Sequence, residues 1–205
     1  LHNNTSRTEP NVRATEIEIY EGLEASSQNC WPSVNFDIGG INNFLSPVLP
    51  AGFYYKTFMW PPSFWKKYEY FIRKSAGLGK SPTEPDPDIY EHKYIHCDVL
   101  VVGAGISGVI AAKVAAKNGF KTLLVDEKSY LGGSTIYQNS ENFKINNQIS
   151  NSWLEKEINE IKKFENLEIK TRTSVAAFHG YNFLLARENL TDHLPLNQRT
   201  NKIRQ

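Results

Sequence analysis

Apolar positions along this chain follow two regimes that meet near residue 90. In the first fifty residues a period of two appears in Thr15-Glu16-Ile17-Glu18-Ile19-Tyr20, which predicts a short strand with Ile17 and Ile19 on one face. Pro10, Pro32, Pro47 and Pro50 break any longer repeat, so the remainder reads as loop. Trp31, Phe36, Ile38, Phe44 and Leu45 are expected to pack onto something, because leaving them in water is costly. Helical spacing appears in Phe64, Trp65, Tyr68, Phe71 and Ile72, with Ser63 placed to cap the helix and Gly77 to end it.

Beyond residue 90 the pattern changes. Asp98-Val99-Leu100-Val101-Val102 is an apolar run of strand length. The run 109–117 that follows Gly108 is rich in alanine and helical by propensity, and Asn118-Gly119 stops it. Lys121-Thr122-Leu123-Leu124-Val125 predicts a second strand. Ser152 and Glu155 have the spacing of a capping box, and Leu154, Ile158 and Ile161 form a buried stripe on the helix that follows. Leu167–Arg172 then reads as a third parallel strand. Residues 175–178 and 182–187, around His179-Gly180-Tyr181, read as an antiparallel hairpin.

Between the regimes, Pro82, Pro85 and Pro87 force extended backbone and forbid a helix. The division expected is residues 1–90, an irregular segment with an aromatic-rich helix and a Pro-rich linker, and residues 91–205, the first half of a dinucleotide-binding domain. The fold class expected is α/β. It is part of a Rossmann-type FAD/NAD(P)-binding domain of the three-layer, glutathione-reductase-like kind, preceded by that irregular segment.

The junction of first strand and first helix carries the chemistry. In Gly103-Ala104-Gly105-Ile106-Ser107-Gly108, Gly103 allows the tight turn, Gly105 lets backbone approach a pyrophosphate, and Gly108 lets the helix pack on the sheet. The amides at the helix start, at Ile106 and Ser107, and the helix dipole face the diphosphate. Asp126 ends the second strand, where a carboxylate can accept both hydroxyls of an adenosine ribose, and Glu127 is the runner-up. A carboxylate there repels a 2′-phosphate, favouring NAD or FAD over NADP. Gly132-Gly133 adds a second approach of backbone to the dinucleotide. The motif serves NAD and FAD alike; NAD is the expectation and FAD the alternative.

Composition narrows the remaining classes. With 23 basic and 22 acidic residues the formal charge is +1, which argues against nucleic acid or an anionic membrane as partner. No apolar run reaches the ~18–20 residues of a membrane span. Cys30 and Cys97 have no metal-type spacing, so a reducing compartment, the cytoplasm, is expected, and the sequons at Asn3, Asn4 and Asn189 are idle. His92, His96, His179 and His193 form no ligand set, and no catalytic or metal-ligating residue is assigned. The chain starts at Leu1 and its one methionine is Met59, so an internal piece of a longer chain is expected.

Aromatic side chains crowd residues 53–71 (Phe53, Tyr54, Tyr55, Phe58, Trp60, Phe64, Trp65, Tyr68, Tyr70, Phe71). They suit either docking on the neighbouring domain or a subunit interface or cofactor wall. This stretch also carries a family resemblance. Pro10–Thr15, Tyr20–Asp37, Leu45–Pro61, Tyr68–Gly79 and Tyr90–Gly108 together resemble the α subunit of heterotetrameric sarcosine oxidase; Cys30 departs from it, standing where a basic residue is expected.

The resemblance implies an oxidoreductase complex that demethylates sarcosine to glycine, with oxygen as electron acceptor and tetrahydrofolate as one-carbon acceptor. It implies β, γ and δ partner subunits, FMN and tetrahydrofolate sites outside this segment, and further domains before Leu1 and after Gln205. Carried over by position, Gly103, Gly105, Gly108, Asp126, Gly132 and Gly133 would line an NAD site without a redox role. The alternatives are the α chain of a related amine or opine dehydrogenase, or a non-catalytic scaffold that holds NAD.

Overall fold

The computed structural model describes residues 8–28, 30–41, 44, 47, 52, 60–79, 82–86, 88–137, 143–200 and 202–204. The chain divides into two units, Leu1–Pro87 with His193–Gln198, and Asp88–Asp192 with Arg199–Gln205.

In the first unit, strands β1 (Pro32–Ser33) and β2 (Phe36–Asp37) form a minimal hairpin. The Asp37 carboxylate braces it by accepting from the amides of Trp31 and Gly39. The strand expected at Thr15–Tyr20 does not form. A single 3-10 turn covers Ala14–Glu16, and Ile19 is 90% exposed. Alternation marks a face, but no described strand pairs with this segment, and a strand needs a ladder to satisfy its amides. Trp31, Phe36, Ile38 and Phe44 are exposed rather than packed, and Leu45 lies outside the described residues.

Helix α1 (Trp65–Ser75) follows a 3-10 turn at Pro62–Phe64. Ser63 does not cap it. The turn absorbs Ser63, and Phe64 occupies the cap position with no side-chain bond. Its end is as expected: Gly77, at φ +68°, donates to Lys74 O, and Leu78 donates to Arg73 O. Tyr68 and Ile72 turn inward while Phe71 and Tyr70 stay exposed; residues 53–59 lie outside the described set.

The second unit holds the sheet. After β3 (Ile89–Tyr90) come β4 (Val99–Val102), helix α2 (Ile106–Lys117) and β5 (Thr122–Val125). A hairpin of β6 (Lys144–Ile145) and β7 (Gln148–Ile149) leads into α3 (Ser150–Ile161) and β8 (Leu167–Lys170). The antiparallel pair β9 (Thr173–Phe178) and β10 (Leu184–Glu188) follows, and β11 (Lys202–Arg204) pairs parallel with β3. Strands β4, β5 and β8 form one parallel sheet with β5 in the centre, all four of its residues buried.

Small residues bring α2 close to this sheet. Val109, Ala112 and Ala116 pack with Ala104, Leu124, Leu131, Ile161 and Leu167 in one core. The capping box at Ser152 and Glu155 is not used. Helix α3 starts at Ser150, whose amide donates to Phe143 O, so Ser152 already lies inside the helix. The buried stripe is present: Leu154 and Ile161 are buried and Ile158 packs against the core.

Candidate functional site

The loop from β4 to α2 is built by residues that have little or no side chain. Gly103 sits at φ +95°, a conformation L residues avoid, and its amide donates to Val125 O at 2.8 Å. A Cβ on Gly108 would overlap the carbonyl oxygen of Gly103, so helix and strand approach this closely because position 108 has none. Gly105 is the N-cap of α2, with no side chain to bond the helix amides. A Cβ placed there meets nothing within 4 Å. The first-turn amides of Ile106, Ser107 and Gly108 stand at the positive end of the helix dipole.

Ala104, fully buried, joins three segments. Its amide donates to Asp126 Oδ2 at 2.5 Å, and its carbonyl accepts from Gly132 N at 2.6 Å. The other carboxylate oxygen, Asp126 Oδ1, accepts from Lys128 N at 2.8 Å. The backbone of Asp126 is pinned as well, its amide on Lys170 O and its carbonyl on Thr173 N. An ionised carboxylate offers about four lone-pair sites, and two amides leave capacity on both oxygens. The Gly132-Gly133 turn lies against the loop: a Cβ on Gly133 would come 3.1 Å from Gly105 Cα.

These pieces border a cleft of about 490 Å³ at the C-terminal ends of β4 and β5. Ligands of open parallel sheets bind at such an edge. Of the residues expected from sequence, Gly103, Asp126, Glu127 and Gly133 line it. Gly105 with Ile106, Ser107 and Gly108 forms the helix start, and Gly132 braces the loop from behind; none of these five lines the cleft. Glu127 is exposed, with Lys128 Nζ at 3.6 Å.

Lys128, Tyr130, Ser134, Tyr137, Thr173, Ser174 and Val175 also line the cleft and were missed. No spacing rule points to the last three, which arrive on β9 from nearly fifty residues downstream of Asp126. Tyr130 and Tyr137 meet edge to face, centroids 6.2 Å apart, with their hydroxyls hydrogen-bonded. That bond, together with desolvation and the nearby Asp126 charge, holds the Tyr130 phenol above its ordinary pKa. Elsewhere, burial pushes the Cys97 thiol up, and no group of three or more His, Cys, Asp or Glu suited to a metal ion occurs among the described residues. No described helix is long and apolar enough to cross a membrane.

Fold and cleft define an α/β domain of the FAD/NAD-binding class, and residues 98–194 match the family model described as FAD dependent oxidoreductase. Within that class the chain resembles the α subunit of sarcosine oxidase. It is 47% identical over 189 residues, 92% of its length, to sarcosine oxidase subunit alpha of Rhizobium meliloti (strain 1021). It is 35% identical over 58% of its length to the subunit of that name from Corynebacterium sp. (strain P-1). The chain spans 19% of the first relative's length and 12% of the second's. Among solved structures, L-proline dehydrogenase from P.horikoshii matches 53% of this chain and 21% of its own, at 22% identity and a TM-score of 0.38.

Proposed function

We propose that this segment is the dinucleotide-holding part of the α chain of a sarcosine-oxidase-type complex. The arrangement of Asp126 carries the reading: its carboxylate is bonded to the loop that precedes α2, and a side chain built on Gly105 in that loop would meet nothing within 4 Å. In this reading the amides of Ile106, Ser107 and Gly108 hold the diphosphate, and Gly105 leaves room for it. The remaining lone pairs of Asp126 accept the ribose hydroxyls. Asp126 and Glu127 together disfavour a 2′-phosphate, so the ligand is NAD, with FAD as the alternative.

A bound dinucleotide supplies either hydride chemistry or structural support, and the residues lining this cleft support the second role. They are groups that bind and orient: hydroxyls, the Asp126 and Glu127 carboxylates, the Lys128 ammonium and three valines. The likeness to sarcosine oxidase α subunits supports the wider reading. In it, the full assembly has β, γ and δ partners, works in the cytoplasm and demethylates sarcosine oxidatively, with oxygen and tetrahydrofolate as acceptors. FMN and tetrahydrofolate then bind outside this segment.

The experiment is release of bound nucleotide from the native purified assembly, identified by chromatography and mass, alongside turnover with sarcosine. One equivalent of NAD per α chain, unreduced during turnover, is expected. FAD in its place selects the alternative, and absence of any adenine dinucleotide overturns the site.

A further inference from the structure

Rings and ammonium groups alternate along one side of α1. Phe64 at its cap position, Lys67, Phe71 and Lys74 stand at i, i+3, i+7 and i+10, within about 80° of one another around the helix. Lys67 Nζ lies 4.9 Å from the centre of the Phe64 ring. Lys74 Nζ lies 5.9 Å from that of Trp31, so the stripe continues onto the residue that enters the β1–β2 hairpin. Phe71 is 66% exposed and Trp31 58%, a costly arrangement for rings of this size unless something covers them.

The charges of the helix say what kind of surface that is. Helix α1 holds four cations and one carboxylate, and the carboxylate, Glu69, lies outside the stripe and accepts from Arg73 Nε at 2.7 Å. Among the described residues no carboxylate stands within ion-pair distance of Lys66, Lys67 or Lys74. Lys67 and Lys74 are two turns apart, about 10 Å along the axis, with Phe71 between them. The complementary surface therefore presents two carboxylates at about that spacing on either side of an apolar side chain. A bilayer does not match this pattern. Interfacial helices keep their cations on the face opposite the rings they bury, whereas burying Phe71 here would bury Lys67 and Lys74 with it. A nucleic-acid backbone calls for a stronger positive field than a chain of net charge +1 supplies.

We propose that the stripe formed by Phe64, Lys67, Phe71, Lys74 and Trp31 is a docking face for an acidic, partly apolar segment of a different subunit. It rests on the reading above that the chain works inside a multi-subunit assembly, and not on the dinucleotide site. Phe71 and Trp31 supply the contact area, and the two ammonium groups, already held over rings, set partner choice and register through carboxylates.

The test uses the full-length protein in its native assembly, with a photo-crosslinking phenylalanine analogue in place of Phe71. A crosslink to a second kind of polypeptide, mapped to a segment bearing Asp or Glu, is expected. Lys67→Glu with Lys74→Glu is expected to weaken subunit association about tenfold or more, and Lys67→Met with Lys74→Met less. These side chains are exposed, so thermal unfolding and bound nucleotide are expected to stay at wild-type levels in both variants. A crosslink within the same chain or to a second copy of it, or no crosslink at all, overturns the docking face. So does unchanged association in the charge-reversed variant, or binding of single-stranded RNA or anionic phosphatidylserine vesicles that the same variant abolishes while the assembly stays intact. A native preparation with nucleotide bound but no second kind of polypeptide overturns the docking face together with the multi-subunit reading, and leaves the dinucleotide site standing.

Discussion

The amide of Ala104 donates to Asp126 Oδ2 at 2.5 Å across 22 residues of sequence. This bond ties the glycine loop to the tip of the central strand, and Lys128 N fixes the opposite oxygen at 2.8 Å. The carboxylate that the sequence suggests for a ribose is therefore part of the fold before any ligand arrives.

Asp126→Asn tests that double role. An asparagine oxygen can keep one of the two amides, but its NH2 then faces the other, leaving a buried donor unpaired. A destabilisation of about 1–3 kcal/mol is expected, read by denaturant unfolding of the full-length protein. Nucleotide affinity is expected to fall in parallel. A variant with wild-type stability and reduced affinity would show that the amide bonds contribute nothing to the fold.

Gly105 and Gly108 separate binding from folding. Space is open at Gly105, so Gly105→Val is expected to cost no more than the ~1 kcal/mol of a poorer N-cap while abolishing nucleotide retention, its branched side chain standing where the diphosphate would be. At Gly108 the added carbon meets the carbonyl of Gly103. Gly108→Ala is expected to force α2 off the sheet at a cost of about 1–3 kcal/mol, with affinity loss following from that shift. Equal destabilisation by both substitutions would contradict the distinction.

What the sequence makes legible here follows period and local chemistry. The β4–α2–β5 unit is readable because each part has its own local signal: a β-branched run, glycines at set intervals, an alanine helix and an acidic tip. The same logic misleads at Thr15–Tyr20, where alternation is present but no strand pairs with it. It misleads again at Ser152, because the β6–β7 hairpin, turned by Asn146 and Asn147 at positive φ, starts α3 three residues earlier, with Ile149 at the cap position. Gly103, Asp126, Glu127 and Gly133 could be placed at the cleft from spacing. Tyr130, Tyr137 and Thr173–Val175 could not, since their convergence depends on the path of the chain in space.

Asn166 is a further position with no sequence signal. Its side-chain amide donates to Ala116 O and Phe120 O, both at 2.9 Å, satisfying one carbonyl in the last turn of α2 and one in the loop that follows it. Asn166→Ala is expected to cost about 1 kcal/mol. Asn166→Asp is expected to cost more, because a carboxylate there faces two carbonyl oxygens and the negative end of the helix dipole. The order of the two variants in thermal unfolding is the check.

Lys113 joins α2 to α3, its ammonium 2.6 Å from Glu157 and 2.7 Å from Glu160. Hydrogen bonds to Glu157, then Glu160, raise the Lys113 pKa, and the bond from Lys113 holds the Glu160 carboxyl below its ordinary value. A depressed carboxyl stabilises the fold above its unfolded pKa, and that stability is lost as pH falls through the folded value. A raised ammonium stabilises below its unfolded pKa, and loses that as pH rises through the folded one. The cluster thus contributes fully from about pH 5 to pH 9 and weakens on both sides. Lys113→Met is expected to lower the Tm of the full-length protein at pH 7, and the gap to wild type is expected to narrow as pH falls below the ordinary glutamate range and Glu160 takes up its proton. A gap of constant size down to pH 3 would mean that lost packing of the lysine stem, rather than the charge cluster, accounts for the effect.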